Sequence, residues 1–246
     1  YGPVPIDQAD QVVLKETEIG KIPDTWTVDL LDNCAYVQTG TAKGRDLGEA
    51  NTLLLPYLRV ANVQDGFLNL REIKHITIKN SEFNRYKLLP GDVLMTEGGD
   101  FDKLGLGFVW SGEVKNCIHQ NHIFAVRLNQ EKLTPDYFAY LIQSSYGKAY
   151  FLKVAHRTTN LASINSTKLK AMPVAFPSKD TQSLISSLLK RIDAKIEREE
   201  KSRVSHESLF NSLLHHLMTG KLGVGPTPNP SLKGGELKTL PFREGI

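Results

Sequence analysis

Two residue clusters in this 246-residue chain have types and spacings that could do chemistry, and a third stretch could position a ligand. In "DGFLNLREIK", Asp65, Glu72 and Lys74 offer two carboxylates beside a cation, the parts of a metal-dependent nuclease site. The spacing is loose, and an alternating strand yields Glu-x-Lys by chance, so surface charge on a strand is the plainer account. In "CIHQNH", Cys117, His119 and His122 are zinc-type ligands. On an extended strand Cys117 and His119 share one face and His122 takes the other. No Cys-x-x-Cys pair completes a zinc set, and nothing marks Cys117 as an activated thiolate. No G-x-x-x-x-G-K-[ST] loop occurs, and "GLGFVW" lacks the third glycine and the helix of a dinucleotide loop. The Asn-Pro-Pro-aromatic and Asp-Pro-Pro-aromatic tetrapeptides of amino-methyltransferases are also absent. The expectation is a non-catalytic chain with no metal or cofactor of its own.

The third stretch is "LLPGDVLMTEGGDFDKLGLG", Leu88 to Gly107, where an apolar strand start runs into glycines mixed with acids. Glu97, Asp100 and Asp102 make a poor phosphate cradle. Glycine, however, lets a backbone lie close to another surface. Either Gly98, Gly99 and Lys103 belong to a recognition surface, or the loop is a rigid turn joining two core strands.

The elements that would hold these residues are mostly strands. Residues 1–20, with Pro3 and Pro5, read as a lead-in linker. "IPDTWTVDLLDNCAYVQTG" reads as a Pro turn, a strand at "WTV" and a short helical patch ending at Gly40. "LLLPYLRVANVQDGFLNL" reads as a strand to Val63, a turn at Asp65–Gly66 and a second strand. "EIKHITIKN" alternates Ile73, Ile76 and Ile78 with polar residues. "GDVLMT" and "GFVWSG" flank the glycine loop, "NCIHQNHIFAVRLN" is another β-type run, and "KLKAMPVAFP" closes the domain as a short strand. "TPDYFAYLIQ" has helical spacing, with Thr134 as N-cap and Pro135 at the first helical position.

After Pro177 no Pro or Gly occurs until Gly220. Ile185, Leu188, Leu189, Ile192 and Ile196 fall on one helical stripe, and Phe210, Leu213, Leu214 and Leu217 on another. About 40 residues at 1.5 Å rise give a rod of roughly 60 Å, which needs a second long helix to cover its stripes. The domain boundaries that follow are a linker (1–20), a recognition domain (21–177), a long spacer helix (178–220) and a Pro- and Gly-rich disordered tail (221–246).

Composition is that of an ordinary globular protein, 40% apolar and 23% charged. No apolar run approaches the length of a membrane helix and no secretory signal pattern opens the chain, so the expected compartment is the cytoplasm. Cys34 and Cys117 read as free thiols. A start at Tyr1 rather than Met points to a fragment. From Tyr137 to Lys179 there is no Asp or Glu, while Lys148, Lys153, Arg157, Lys168, Lys170 and Lys179 fall there. Such a stretch suits a polyanion, unless acids from elsewhere in the fold neutralise it.

Six stretches in order resemble the specificity subunit of type I restriction–modification systems. They are "ETEIGKIPDTW", "LPYLRVANV", "GDVLMTEGGDFDKLG", "CIHQNHIFAVR", "TTNLASINSTKLKAMPVAFP" and "LFNSLLHHLMTGKL", covering roughly residues 16–222. The resemblance implies an α/β (α+β) target-recognition domain followed by a long α-helix that packs as an antiparallel coiled coil with a second helix. It implies double-stranded DNA as a partner, one half of a split target being read, and methyltransferase and restriction–motor subunits docked nearby. S-adenosylmethionine, ATP and Mg are then expected only in those partner subunits. "YGPVPIDQADQ" looks like the junction after a first helix, so the chain is expected to be a second half or a half-length form that pairs with itself. Three departures stand out: Leu106 where a basic residue is expected, "FPSKDTQ" at the helix opening, and a single recognition domain. Within this frame Arg59, Asn62, Gln120, Asn121 and His122 are candidate base readers, since Arg suits guanine and Asn or Gln suits adenine. Arg157, Thr159, Asn160, Lys168 and Lys170 are candidate phosphate contacts. For each reader a fold-stabilising hydrogen bond is the competing role. The rival functions are a coiled-coil interaction scaffold without DNA specificity and a stand-alone nuclease.

Overall fold

In the computed structural model, the described residues are 12–49, 51–64, 66–99, 104–105, 107–157, 162–223 and 225. Two units are distinguished, Tyr1–Arg191 and Ile192–Ile246.

The first unit is built around a four-stranded antiparallel sheet. Its strands are β4 (Ala35–Thr39), β7 (Val93–Thr96), β9 (Gly107–Val109) and β11 (Ile123–Leu128), in the order β4-β11-β7-β9. The two central strands are apolar runs because both of their faces are covered. Val93, Met95, Phe124 and Val126 point to one core, shared with Phe138, Ile142 and Phe151 of α2 (Pro135–Gln143) and α3 (Ser145–Val154). Leu94, Ile123 and Ala125 point to the other, against Leu58, Trp110 and Cys117. Phe124, Phe138 and Phe151 are fully buried, each burial being worth about 1.5–3 kcal/mol. A second sheet, in the order β10-β5-β6, joins β5 (Thr52–Leu58), β6 (Lys74–Lys79) and β10 (Ile118–His119). Cys34 and Cys117 are buried and unbridged.

Several elements differ from the sequence expectation. The lead-in gives way to a hairpin, β1 (Leu14–Thr17) paired with β2 (Gly20–Pro23), its turn closed where Thr17 donates to the Gly20 carbonyl at 2.7 Å. The strand at "WTV" is β3 (Thr27–Leu30). The helical patch after it is only a 3-10 turn at Leu31–Asn33, and the residues up to Thr39 form β4 because they can pair with β11. The hairpin expected across Asp65–Gly66 is reduced to one bridge, Val63 with Leu68; Asp65 lies outside the described residues. β5 pairs instead with β6, where Leu55 and Ile78 are buried together. "KLKAMPVAFP" divides between α4 (Ser166–Lys170) and β14 (Pro173–Phe176), which pairs with β3.

The long helix α5 runs Lys179–Met218. Ser178 sets its first turn, its hydroxyl 3.0 Å from that of Thr181 and accepting from the Thr181 N–H. The base of α5 is fixed by a fully buried Gln182. Its Oε1 accepts from the Thr134 N–H at 2.8 Å, and its Nε2 donates to the Lys132 and Pro177 carbonyls at 2.9 and 3.0 Å. Ile185 packs against the first core, so it leaves the outward stripe to which its spacing assigned it. Leu188, Ile192 and Ile196 stay exposed, as do Phe210, Leu213, Leu214 and Leu217, and Leu189 is half-buried. The middle of α5 carries Glu197–Lys201 and Glu200–Arg203–Glu207 pairs at helical spacing, which stabilise a solvated stretch by a few tenths of a kcal/mol each. No helix among the described residues is long and apolar enough to cross a membrane.

Candidate nucleic-acid interface

Two segments far apart in sequence meet on a small sheet. β8 (Gly98–Gly99) pairs with β13 (Ala162–Ser163), which pairs with β12 (His156–Arg157). The register sets Gly99 and Arg157 both opposite Ala162. Gly99 and Arg157 therefore lie at the same end of this sheet. Gly98 has to be glycine here. A Cβ would sit 2.6 Å from the Ala162 carbonyl oxygen, so the two strands could not pair this closely. Of the two readings of the loop, its first residues form a sheet edge that also borders a cleft. That cleft, of about 360 Å³, is lined by Val60, Glu97, Gly98, Gly99, His122, His156, Ala162 and Ser163.

At the cleft, His122 Nδ1 lies 2.6 Å from the Glu97 carboxylate, and Asn121 Nδ2 lies 3.2 Å from His122 Nε2. The Gln120 side chain accepts from the Val60 N–H at 3.4 Å, tying the neighbouring loop to the same edge. Glu97, His156 and Ser163 were not singled out by the sequence. Glu97 stood in the glycine-rich stretch as one acid among several, and no sequence signal marked His156 or Ser163.

The other candidates divide. Asn62 is buried and its amide is fully used inside the fold. Oδ1 accepts from the Arg59 N–H at 2.8 Å, and Nδ2 donates to the Asn69 and Glu72 carbonyls at 2.8 and 3.0 Å. It braces a loop, which corrects its assignment as a base reader. The Arg59 guanidinium donates to Glu72 at 2.9 Å, and Glu72 also pairs with Lys74. Lys74 first and Arg59 second hold the Glu72 carboxyl below its usual range. Glu72 is thus the centre of a surface ion cluster, the role expected of strand charge. Lys170 pairs with Asp32 at 3.1 Å, so part of the acid-free stretch is neutralised from elsewhere in the chain. The Lys168 backbone is held at the start of α4 by the Asn165 cap. Arg157 is described through its backbone, and Lys103, Thr159 and Asn160 lie outside the described residues.

The "CIHQNH" residues separate as strand alternation implies: Cys117 and His119 are buried and His122 is exposed. Burial pushes the Cys117 thiol up to about 12, the opposite of an activated nucleophile. Burial pulls the His119 imidazole down to about 4, while its Nδ1 lies 3.0 Å from the Ile123 carbonyl to which it donates. An unfolded chain titrates its histidines near 6.5, so between these values the unfolded state binds the extra proton. This group's contribution is therefore intact above about pH 6.5 and falls away toward pH 4, by about 3 kcal/mol in all. Urea midpoints followed from pH 7 to pH 5 should show the decline, and His119→Asn, whose amide can replace Nδ1, should flatten it. Glu82 contributes in a lower window, because Arg45 holds its carboxyl at about 2.

A family model described as "Type I restriction modification DNA specificity domain" matches residues 23–206. A putative type I restriction enzyme MjaX specificity subunit from Methanocaldococcus jannaschii is 28% identical over 182 residues, 73% of this chain and 42% of that protein. The type I restriction enzyme EcoKI specificity subunit from Escherichia coli K12 is 26% identical over 203 residues, 78% of this chain and 42% of that protein. The chain thus spans less than half the length of these curated relatives. Among solved structures, a chain from work on complex assembly and conformational transition of the type I R-M system superposes with a TM-score of 0.58 at 15% identity, covering 84% of this chain and 47% of that one. The HsdS subunit from Thermoanaerobacter tengcongensis gives 0.52 at 15% identity, covering 77% and 42%. These structures share the fold, strands and helices with a long C-terminal helix. The family match extends over most of the sequence, so the chain belongs to the type I restriction–modification DNA specificity family.

Proposed function

We propose that this chain is a sequence-specific DNA-binding element of a type I restriction–modification complex, reading one half of a bipartite target. The observation that carries the proposal is the meeting of the Gly98–Gly99 and His156–Arg157 strands on one small sheet, beside a cleft edged by Glu97 and His122. Polar groups on glycine-permitted close backbone, next to a basic stretch, are what direct readout of a groove requires. The exposed stripes on α5 support antiparallel pairing with a second long helix, from another recognition half or a second copy, and docking of methyltransferase and restriction subunits. The chain itself is a non-catalytic reader working in the cytoplasm. S-adenosylmethionine, ATP and Mg serve chemistry in the partner subunits.

The test is duplex affinity against salt, with and without the neighbouring methyltransferase. Binding that neutralises three or four phosphates should weaken roughly 40- to 150-fold between about 50 and 200 mM salt. Flat or absent binding, with the helix still capturing partners, would establish the scaffold instead.

A further inference from the structure

The side chains at the cleft form a directed chain of hydrogen bonds. An ionised carboxylate only accepts, so the proton in the 2.6 Å contact between His122 and Glu97 belongs to Nδ1. A neutral imidazole protonated at Nδ1 carries an acceptor at Nε2. The Asn121 amide faces that acceptor through Nδ2 at 3.2 Å and therefore donates to it. This leaves Asn121 one further N–H and its Oδ1, and no other partner among the described residues engages that side chain. Its backbone is fixed as well, since the Asn121 N–H donates to the Thr41 carbonyl at 3.1 Å. The relay is held in place without being sealed off: the His122 side chain is 57% exposed and that of Glu97 26%.

A free asparagine amide can turn over and present its donor and acceptor in either order. Here the Glu97–His122 pair selects one order. Among the major-groove edges, guanine offers two acceptors, cytosine one donor and thymine one acceptor with a methyl group. Adenine alone sets an acceptor, N7, beside a donor, the N6 amino group. We propose that Asn121 reads an adenine of the target half-site, and that His122 and Glu97 are positioning residues that hold its amide in the sense adenine requires. The assignment rests on the DNA-reading function above and adds to it the base and the residues that recognise it.

The test is selection of bound sequences from a randomised duplex pool by the full chain, with its methyltransferase partner if binding needs it. The wild type should enrich a sequence with a fixed adenine. Asn121→Ala should lower the preference for adenine at that one base pair by about tenfold. Glu97→Gln and His122→Phe should lower it several-fold at the same base pair, with unchanged melting temperature and unchanged preferences elsewhere. Asn121→Asp, nearly the same size but an acceptor only, should shift the preference toward cytosine, a gain that misfolding cannot produce. A sharp wild-type preference that these variants leave intact, or weaken evenly at every base pair, overturns the adenine assignment alone. A wild type that binds without enriching any sequence overturns the assignment and the DNA-reading function together.

Discussion

Asp92→Ala is expected to destabilise the first unit by about 3 kcal/mol, the cost of breaking a pair whose acid is inside the protein. Asp92 is 1% exposed and faces Arg127 across the β7–β11 ladder. The guanidinium donates Nε–H to Oδ1 and Nη2–H to Oδ2, both at 2.8 Å, and the Leu89 N–H donates to Oδ2 at 2.8 Å. Removing the carboxylate orphans the Leu89 N–H and leaves the guanidinium without its counter-charge. Arg127 is about a third exposed, so water relieves part of the loss, and the figure stays at the low end of the range for broken buried pairs. In a chain of this size the melting temperature should fall by roughly 6–12 °C. Arg127→Ala should cost at least as much, because it leaves a buried carboxylate with the Leu89 N–H as its remaining donor, whereas Asp92→Ala leaves a guanidinium that water can reach. A clearly smaller loss in Arg127→Ala would contradict this account.

Gln182→Ala should cost a similar amount for a different reason. One amide satisfies the Thr134 N–H and the Lys132 and Pro177 carbonyls, and Ala both orphans them and leaves a void where Gln182 was. Unmet buried groups and the cavity together come to about 3 kcal/mol. Gln182→Met fills the space without the hydrogen bonds and separates the two contributions: if it melts like the wild type, packing alone holds the base of α5. Far-ultraviolet circular dichroism and thermal melting of the purified chain decide this.

Much of this fold could be read from the chain where local pattern and tertiary environment agree. β7 and β11 were visible as apolar runs because both faces of the central sheet are covered, and α5 was visible because 40 residues keep a helical pattern without Pro or Gly. Strand pairing was not visible. Thr52–Leu58 pairs with Lys74–Lys79 past the Asp-Gly turn, a choice made by the burial of Leu55 and Ile78 rather than by turn chemistry. The same limit applies to the site. Residue type singled out Asn62 and Asn121 equally, and only placement shows that one amide is enclosed by backbone carbonyls while the other is held by a histidine at a cleft. Gly98 and Gly99 carried a usable signal, glycine next to acids. His156 and Ser163 carried none, since they join the cleft through pairing across more than 50 residues of sequence.

The clamp at Gln182 also determines where this protein can be cut and rejoined. A chimera joined at Pro177 would graft the globular part onto a foreign first turn and strand the Lys132–Thr134 loop without its amide. One joined beyond Ser186, whose hydroxyl donates to the Gln182 carbonyl, would carry that turn along. The transferable cassette is therefore longer than its strands and short helices, and includes the first two turns of the rod.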